Sequence, residues 1–392
     1  MNLVLFDDHF RENLLPLSFT RPIAEIRVGI LTIADKWSKY LNADVSYLTA
    51  PHLVKKYPAS LTDQNLFVNA ACLPTKELIE EIKSLKFGDV LLDDSGRLVA
   101  AYSRDFNFQE NEINKKSHSA TFINYPEDIF TLNGEELEKD FDLLTEGRKS
   151  AKISDTNTIV GNGRIFIEDS ATVEGAMLNA SSGSIYVGHN AEIMEGALVR
   201  GSLALCDGAA LKLGAKVYGS ATIGPHSKVG GEINNSVILG YSNKGHDGFL
   251  GNSVIGEWCN IGADSNNSNL KNNYAEVKLW DYPTGRFRKT GKQFCGLIMG
   301  DHSKCGINTM FNTGTVVGVS SNIFGAGFPR NFIPSFAWGG GNGFATYQTN
   351  KAFETAELVM QRRGKALDQI ERDILMHIFE ITKTNRNWDL NK

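Results

Sequence analysis

The chain lacks any apolar run near the ~20 residues needed to span a bilayer, any C-x-x-C pair, and any surplus of positive charge. Each absence excludes something. Five scattered cysteines, an odd number, argue against both a disulfide framework and a zinc site, so they read as reduced thiols. With 40 basic and 45 acidic residues, the net charge of -5 offers no general attraction to nucleic acid or to an anionic membrane. An anionic ligand must then be held by a local basic cluster. The opening MNLVLFDDHF carries acids after a few apolar residues, unlike a signal peptide, which makes a cytoplasmic protein the expectation. What the sequence does have is length: 392 residues are enough for two domains with their own cores.

The first ~130 residues alternate short apolar runs with helical patterns, as an α/β sheet domain requires. NLVLF, DVSYLT and NLFVNAA read as strands, and AEIRVGILTIADKWSKYL as mostly helical. PTKELIEEIKSLKFG predicts a helix capped by Thr75 and stopped by Gly88, and VLLDDSGRLVAAYS a hairpin turning at Asp94 to Gly96. The acidic helical stretch over 126–150 closes this domain, which is expected to cover 1–150.

Beyond it the pattern changes to a repeat of six. Val187, Ile193, Val199, Leu205, Leu211, Val217, Ile223 and Val229 are all aliphatic, and small residues such as Ala191, Ala197, Ala209 and Ala215 follow four places behind. One inward aliphatic per short strand, with a small residue where the chain bends, describes a prism whose coils stack as parallel strands over a continuous core. The beat is foreshadowed at Ile167 and Val173 and resumes at Met299, Cys305, Phe311, Val317 and Ile323, which makes Cys305 a core residue. His189, His226 and His302 fall at corners. The solenoid is expected over 151–345, followed by a helical tail over 346–392 in which 351–383 form one long amphipathic helix.

Between Val237 and Met299 the beat fragments, and polar, aromatic and basic residues gather. Loops inserted in a solenoid commonly carry its binding function. GHDGFLGNSVIGEWCNIGAD, starting at Gly245, resembles the run G-H-L-x-Y-L-G-x-x-x-I-G-x-x-x-N-I-G-A-G of the bifunctional family that makes UDP-N-acetylglucosamine. That family joins an N-acetylglucosamine-1-phosphate uridylyltransferase domain to a glucosamine-1-phosphate acetyltransferase domain. The resemblance implies a left-handed parallel β-helix, homotrimeric assembly, acetyl-CoA as co-substrate, His246 as general base and Asn260 as a substrate contact. Histidine suits the role, since its ordinary pKa of about 6.5 lets it take a proton from an attacking amine near neutrality. Asn273 and Tyr274 stand close to where the family has N-Y. Asn234 and Asn235 occupy the region of its phosphate-holding lysine, leaving Lys244 as the substitute. Phe249 and Asp264 also depart from the pattern. In the same region Arg286, Arg288 and Lys289, near Trp280 and Tyr282, offer charge and stacking to the phosphates and adenine of coenzyme A.

LLPLSFTRPIAEIRVG is similar to the second half of the sugar nucleotidyltransferase signature, with Pro22, Val28 and Gly29 matching. The glycine-rich phosphate loop before it is replaced by FDDHFREN, Ile23 stands in place of a lysine, and no acid lies between Phe67 and Pro74 where that family binds Mg2+. Phosphate is then left to Arg11, Arg21 and Arg27, with Mg2+ lacking its usual ligand. Three functions are open: an acetyl-CoA-dependent amino-sugar N-acetyltransferase, a sugar-1-phosphate nucleotidyltransferase with an assembling solenoid, or a noncatalytic sugar-nucleotide binder.

Overall fold

A computed structural model describes residues 2–107 and 113–389. The chain divides into two compact units, one of Met1–Leu14, Thr20–Ile26 and Leu31–Tyr125, the other of Leu15–Phe19, Arg27–Ile30 and Pro126–Lys392.

The first unit is built on a mixed sheet of β1 (Asn2–Phe6), β2 (Val45–Leu48), β3 (Asn65–Asn69), β5 (Asp89–Leu92), β6 (Leu98–Ser103) and β7 (Ile113–Lys116), in the order β2-β1-β3-β6-β5-β7. A small ladder pairs β4 (Cys72–Leu73) with β8 (Thr121–Phe122). β1 runs parallel to β2 and β3, whereas β6 is antiparallel to β3 and β5. All five residues of β3 are buried, which is why this strand reads as a continuous apolar run without alternation. Thr75 caps helix α2 (Lys76–Lys83) by accepting from the Leu78 amide, but the helix ends at Ser84, ahead of Gly88. The stretch over 24–41 is less helical than its pattern suggests. Only a 3-10 turn at Ile23–Glu25 and α1 (Ile33–Leu41) form. A capping box between Thr32 and Asp35 starts α1 there, and Gly29 takes φ +85, which breaks any helix running into it.

In the second unit the six-residue beat is borne out. All eight residues from Val187 to Val229 are buried to 2 % exposure or less, within one core that also holds Ile167, Val173, Met299, Cys305, Phe311, Val317 and Ile323. Ile193 pairs with Leu211 and Leu211 with Val229, so one coil is three hexads, eighteen residues. Three parallel sheets result, one of nine strands, one of ten that ends in an antiparallel hairpin, and one of six.

The solenoid runs straight through the segment where the beat is lost. Ile223 pairs with Ile238 and Val229 with Lys244, because that coil is three residues short. Ile238 pairs with Ile255, and Ile255 then pairs with Met299, because the coil after Ile255 carries an insertion that includes the hairpin Lys278–Asp281 and Arg286–Lys289. Pattern and fold part company here because stacking needs register between neighbouring coils, not equal coil lengths.

Helix α3 (Pro126–Thr145) packs along the solenoid of its own unit. Asn133 accepts from Gly29 N at 2.8 Å and donates to Ser220 O at 3.0 Å, while Asp140 accepts from Ile30 N at 2.8 Å. The carboxy-terminal helix is two helices, α4 (Thr349–Gln361) and α5 (Gln369–Ile381), and not one over 351–383. Gly364 at φ +67 stops the first, and Asp368 caps the second through the Glu371 amide at 2.8 Å.

Candidate active site

Strands of the ten-stranded sheet are mostly two residues long, one side chain outward and one inward, so each coil adds one residue to an outer file. Lys228, Asn243, Asn260 and Lys304 are successive members, paired in register. Thr355, Val359, Arg362 and Arg363 of α4 and the residues after it face the same space, and Arg363 Nη2 donates to Asn243 Oδ1 at 3.2 Å. Between them lies a cavity of about 820 Å³, and both His246 and Asn260 line it, the imidazole exposed. The fold thus gathers these two expected residues from neighbouring coils.

Electrostatics define the cavity further. Lys212, Lys228, Lys304, Arg362 and Arg363 line it, and among the described residues no carboxylate does. Lys304 donates to the His302 carbonyl at 2.9 Å, and burial pushes its ammonium down to about 8. Five cations without an acidic partner among the lining make a site for a polyanion. Sequence reading missed all five because they come from separate coils and from the end of α4, far apart in the chain; the signal available for Lys228 and Lys304 was that each directly precedes an inward residue of the beat.

Tyr241 also lines the cavity and belongs to a second file, at a corner. His226, Tyr241, Trp258 and His302 all take φ between +52 and +60 and stack coil on coil, with Tyr241 and Trp258 centroids 4.3 Å apart. His226 and His302 are therefore corner residues, as their spacing indicates. Of the glycines flanking the imidazole, Gly248 has a backbone reason: it sits at φ +113 tight against the Ser265 carbonyl, where no side chain fits.

Other expected site residues are placed elsewhere. Lys244 is not among the cavity lining: it fills an inward position at 2 % exposure, and its Nζ donates to Gly230 O at 3.2 Å and His246 O at 2.6 Å. Asn273 and Tyr274 lie in an exposed turn outside the cavity lining. Arg288 is held by Glu127 through Nη1–Oε1 at 2.8 Å and Nη2–Oε2 at 3.0 Å, a bidentate pair that consumes its guanidinium. Lys289 lies 3.6 Å from Glu276, and Arg286 is exposed on the hairpin. None of the three lines the His246 cavity.

In the first unit Arg11 pairs with Asp7 at 3.1 Å and Arg21 is 4 % exposed; in the second, Arg27 donates to the Leu239 and Ile30 carbonyls. The first unit has its own cleft of about 490 Å³ past the end of β1, lined by Asp7, Asp8, His9 and Arg97 among others. Its carboxylates are saturated. Asp8 accepts from Arg97 at 2.7 Å and Asn69 at 2.8 Å, and Asp7 from Thr49 at 2.6 Å and Ile23 N at 2.9 Å. Burial raises the Asp7 carboxyl above its usual range. A carboxylate pair so engaged does not fit a Mg2+ ion, and no step is routed through one.

Residues 3–149 match the family described as sugar nucleotidyl transferase. The bifunctional protein GlmU of Methanocaldococcus jannaschii is 34% identical over 87 residues, 22% of this chain and 21% of that protein. A bifunctional sugar-1-phosphate nucleotidylyltransferase/acetyltransferase of Sulfurisphaera tokodaii is 32% identical over 93 residues, 24% of this chain and 23% of that protein. The chain thus spans about a fifth of the length of these curated relatives. Among solved structures, the UDP-N-acetylglucosamine acyltransferase LpxA of Bacteroides fragilis aligns at 15% identity with a TM-score of 0.25, over 56% of this chain and 81% of that one.

Proposed function

For a chain that joins a sugar nucleotidyltransferase domain to a parallel β-solenoid, we propose acetyl-CoA-dependent N-acetylation of an amino-sugar phosphate in the His246 cavity. The reading rests on one observation above the others: His246 and Asn260 open into a space ringed by five cations and no acid. A sugar phosphate and the phosphates of coenzyme A are both polyanions that such a ring attracts.

The chemistry follows from the imidazole. The sugar amine attacks the thioester carbonyl, forming a C–N bond and a tetrahedral oxyanion. His246 takes the proton that the nitrogen sheds. As the C–S bond breaks, the thiolate leaves and receives that proton from the imidazolium, so the histidine is regenerated. Asn260, one coil on, offers an amide to orient the acceptor. Lys244 does not touch substrate; it fixes the backbone of His246 from inside the prism. The Sulfurisphaera tokodaii relative carries both activities in its name, which supports the pairing of the two domains, and a cytoplasmic homotrimer is part of the same proposal. No described helix is long and apolar enough to cross a membrane.

The family match over 3–149 favours a second activity, nucleotidyl transfer to a sugar-1-phosphate in the first unit. Thiol release from acetyl-CoA with a panel of amino-sugar phosphates tests the first reading, and pyrophosphate release from UTP or dTTP with sugar-1-phosphates tests the second.

A further inference from the structure

We propose that the second unit holds a separate nucleotide-binding cleft, with a base against the aromatic wall of Trp280, Phe287 and Phe332 and phosphates at Lys278 and Arg330. The cleft measures about 820 Å³, within the range of sites that bury a small ligand, and shares no lining residue with the His246 cavity.

Its wall is preformed. Trp280 stacks on Phe332 with centroids 4.1 Å apart and planes 10° from parallel, and Phe287 stands edge-on to Trp280 at 5.4 Å. Phe287 keeps 44 % of its surface exposed, a flat apolar face with no protein cover. A ring held in this way accepts another flat ring at little entropic cost. The indole N–H of Trp280 is buried and has no acceptor among the described residues.

The charge is one-sided. Among the described residues, Lys271, Lys278 and Arg330 line the cleft and no acid does. Lys271 is used, donating to the Glu276 carbonyl at 2.9 Å. The side chains of Lys278 and Arg330 are exposed and enter no hydrogen bond or ion pair among the described residues. Two uncommitted cations beside an aromatic plate match a ligand that is planar at one end and multiply anionic at the other. That chemistry belongs to a nucleotide, either a nucleoside diphosphate or the adenosine phosphate end of coenzyme A. The cleft and the His246 cavity stand on different residues, so this inference does not rest on the acyl-transfer reading.

The test is calorimetric titration of the full chain with UDP, ADP, coenzyme A and inorganic phosphate. At least one nucleotide should bind, tighter than phosphate alone, and Lys278→Ala and Arg330→Ala should each weaken it about tenfold. Both residues are exposed, so both variants are expected to fold. Preference for UDP identifies a nucleoside diphosphate as the occupant, and preference for ADP and coenzyme A identifies the other source. If no nucleotide binds, if phosphate alone binds as tightly, or if no binding responds to both variants, the proposal is wrong.

Discussion

The Nζ of Lys244 lies 2.6 Å from the carbonyl oxygen of His246, so a buried ammonium in the inward file anchors the segment that carries the imidazole. Burial pushes its pKa from 10.5 down to about 8. Between those two values the unfolded chain binds more protons at this site than the folded one, so this lysine's contribution to stability rises with pH across that window. Relative to Lys244→Met, the wild type should gain stability from pH 8 toward pH 10, at up to about 1.4 kcal/mol per pH unit. Urea midpoints of the two proteins across that range measure the difference, and a gap that is flat or moves in the variant's favour contradicts the assignment.

Lys228 and Arg362 line the cavity and are exposed. Losing a charged hydrogen bond to phosphate typically costs enough to change affinity roughly tenfold or more. Lys228→Ala and Arg362→Ala should each raise KM for the phosphorylated acceptor or for acetyl-CoA by about tenfold, with little change in kcat. KM should also rise with ionic strength in the wild type. Steady-state kinetics at two salt concentrations decide this.

Arg97 is tied to Asp8 at 2.7 Å and to Asn124 at 2.6 Å, with its guanidinium 4.2 Å from the Phe10 ring centroid and 4.0 Å from that of Phe122. Asp8 is only 12 % exposed, so Arg97→Ala would strand a mostly buried carboxylate. The loss should be about 3–5 kcal/mol in the unfolding of the first unit. Arg97→Lys should recover little of it, because an ammonium neither stacks as a plane nor reaches both partners. Chemical denaturation of the three proteins gives the comparison, and near-equal stability of Arg97→Ala and wild type would rule the account out.

The inward file was legible in the sequence because burial imposes one requirement, an aliphatic side chain, at a fixed interval. Cys305 was readable as core for that reason, and its buried thiol is held above its ordinary range. Lys244 was not, since a lysine at an inward position contradicts the pattern and is tolerated only because two carbonyls receive it. His246 and Asn260 were found through a motif, whereas the basic ring comes together only when coils stack and the end of α4 closes over them. Charge clusters contiguous in sequence misled: Arg288 stands in a basic run, yet its partner is Glu127, which the chain order does not suggest. The two C-terminal helices read as one because their apolar positions stay in phase, while the break rests on the φ of Gly364.

The most direct measurement is thiol release from acetyl-CoA with amino-sugar phosphates, by wild type and by His246→Ala and His246→Gln. The account expects acceptor-dependent release by the wild type and a fall of about 10²–10⁴-fold in kcat for both variants, with unchanged thermal unfolding since the imidazole is exposed. Release that the variants sustain at the wild-type rate, or a wild type inert toward every amino sugar offered, would contradict it.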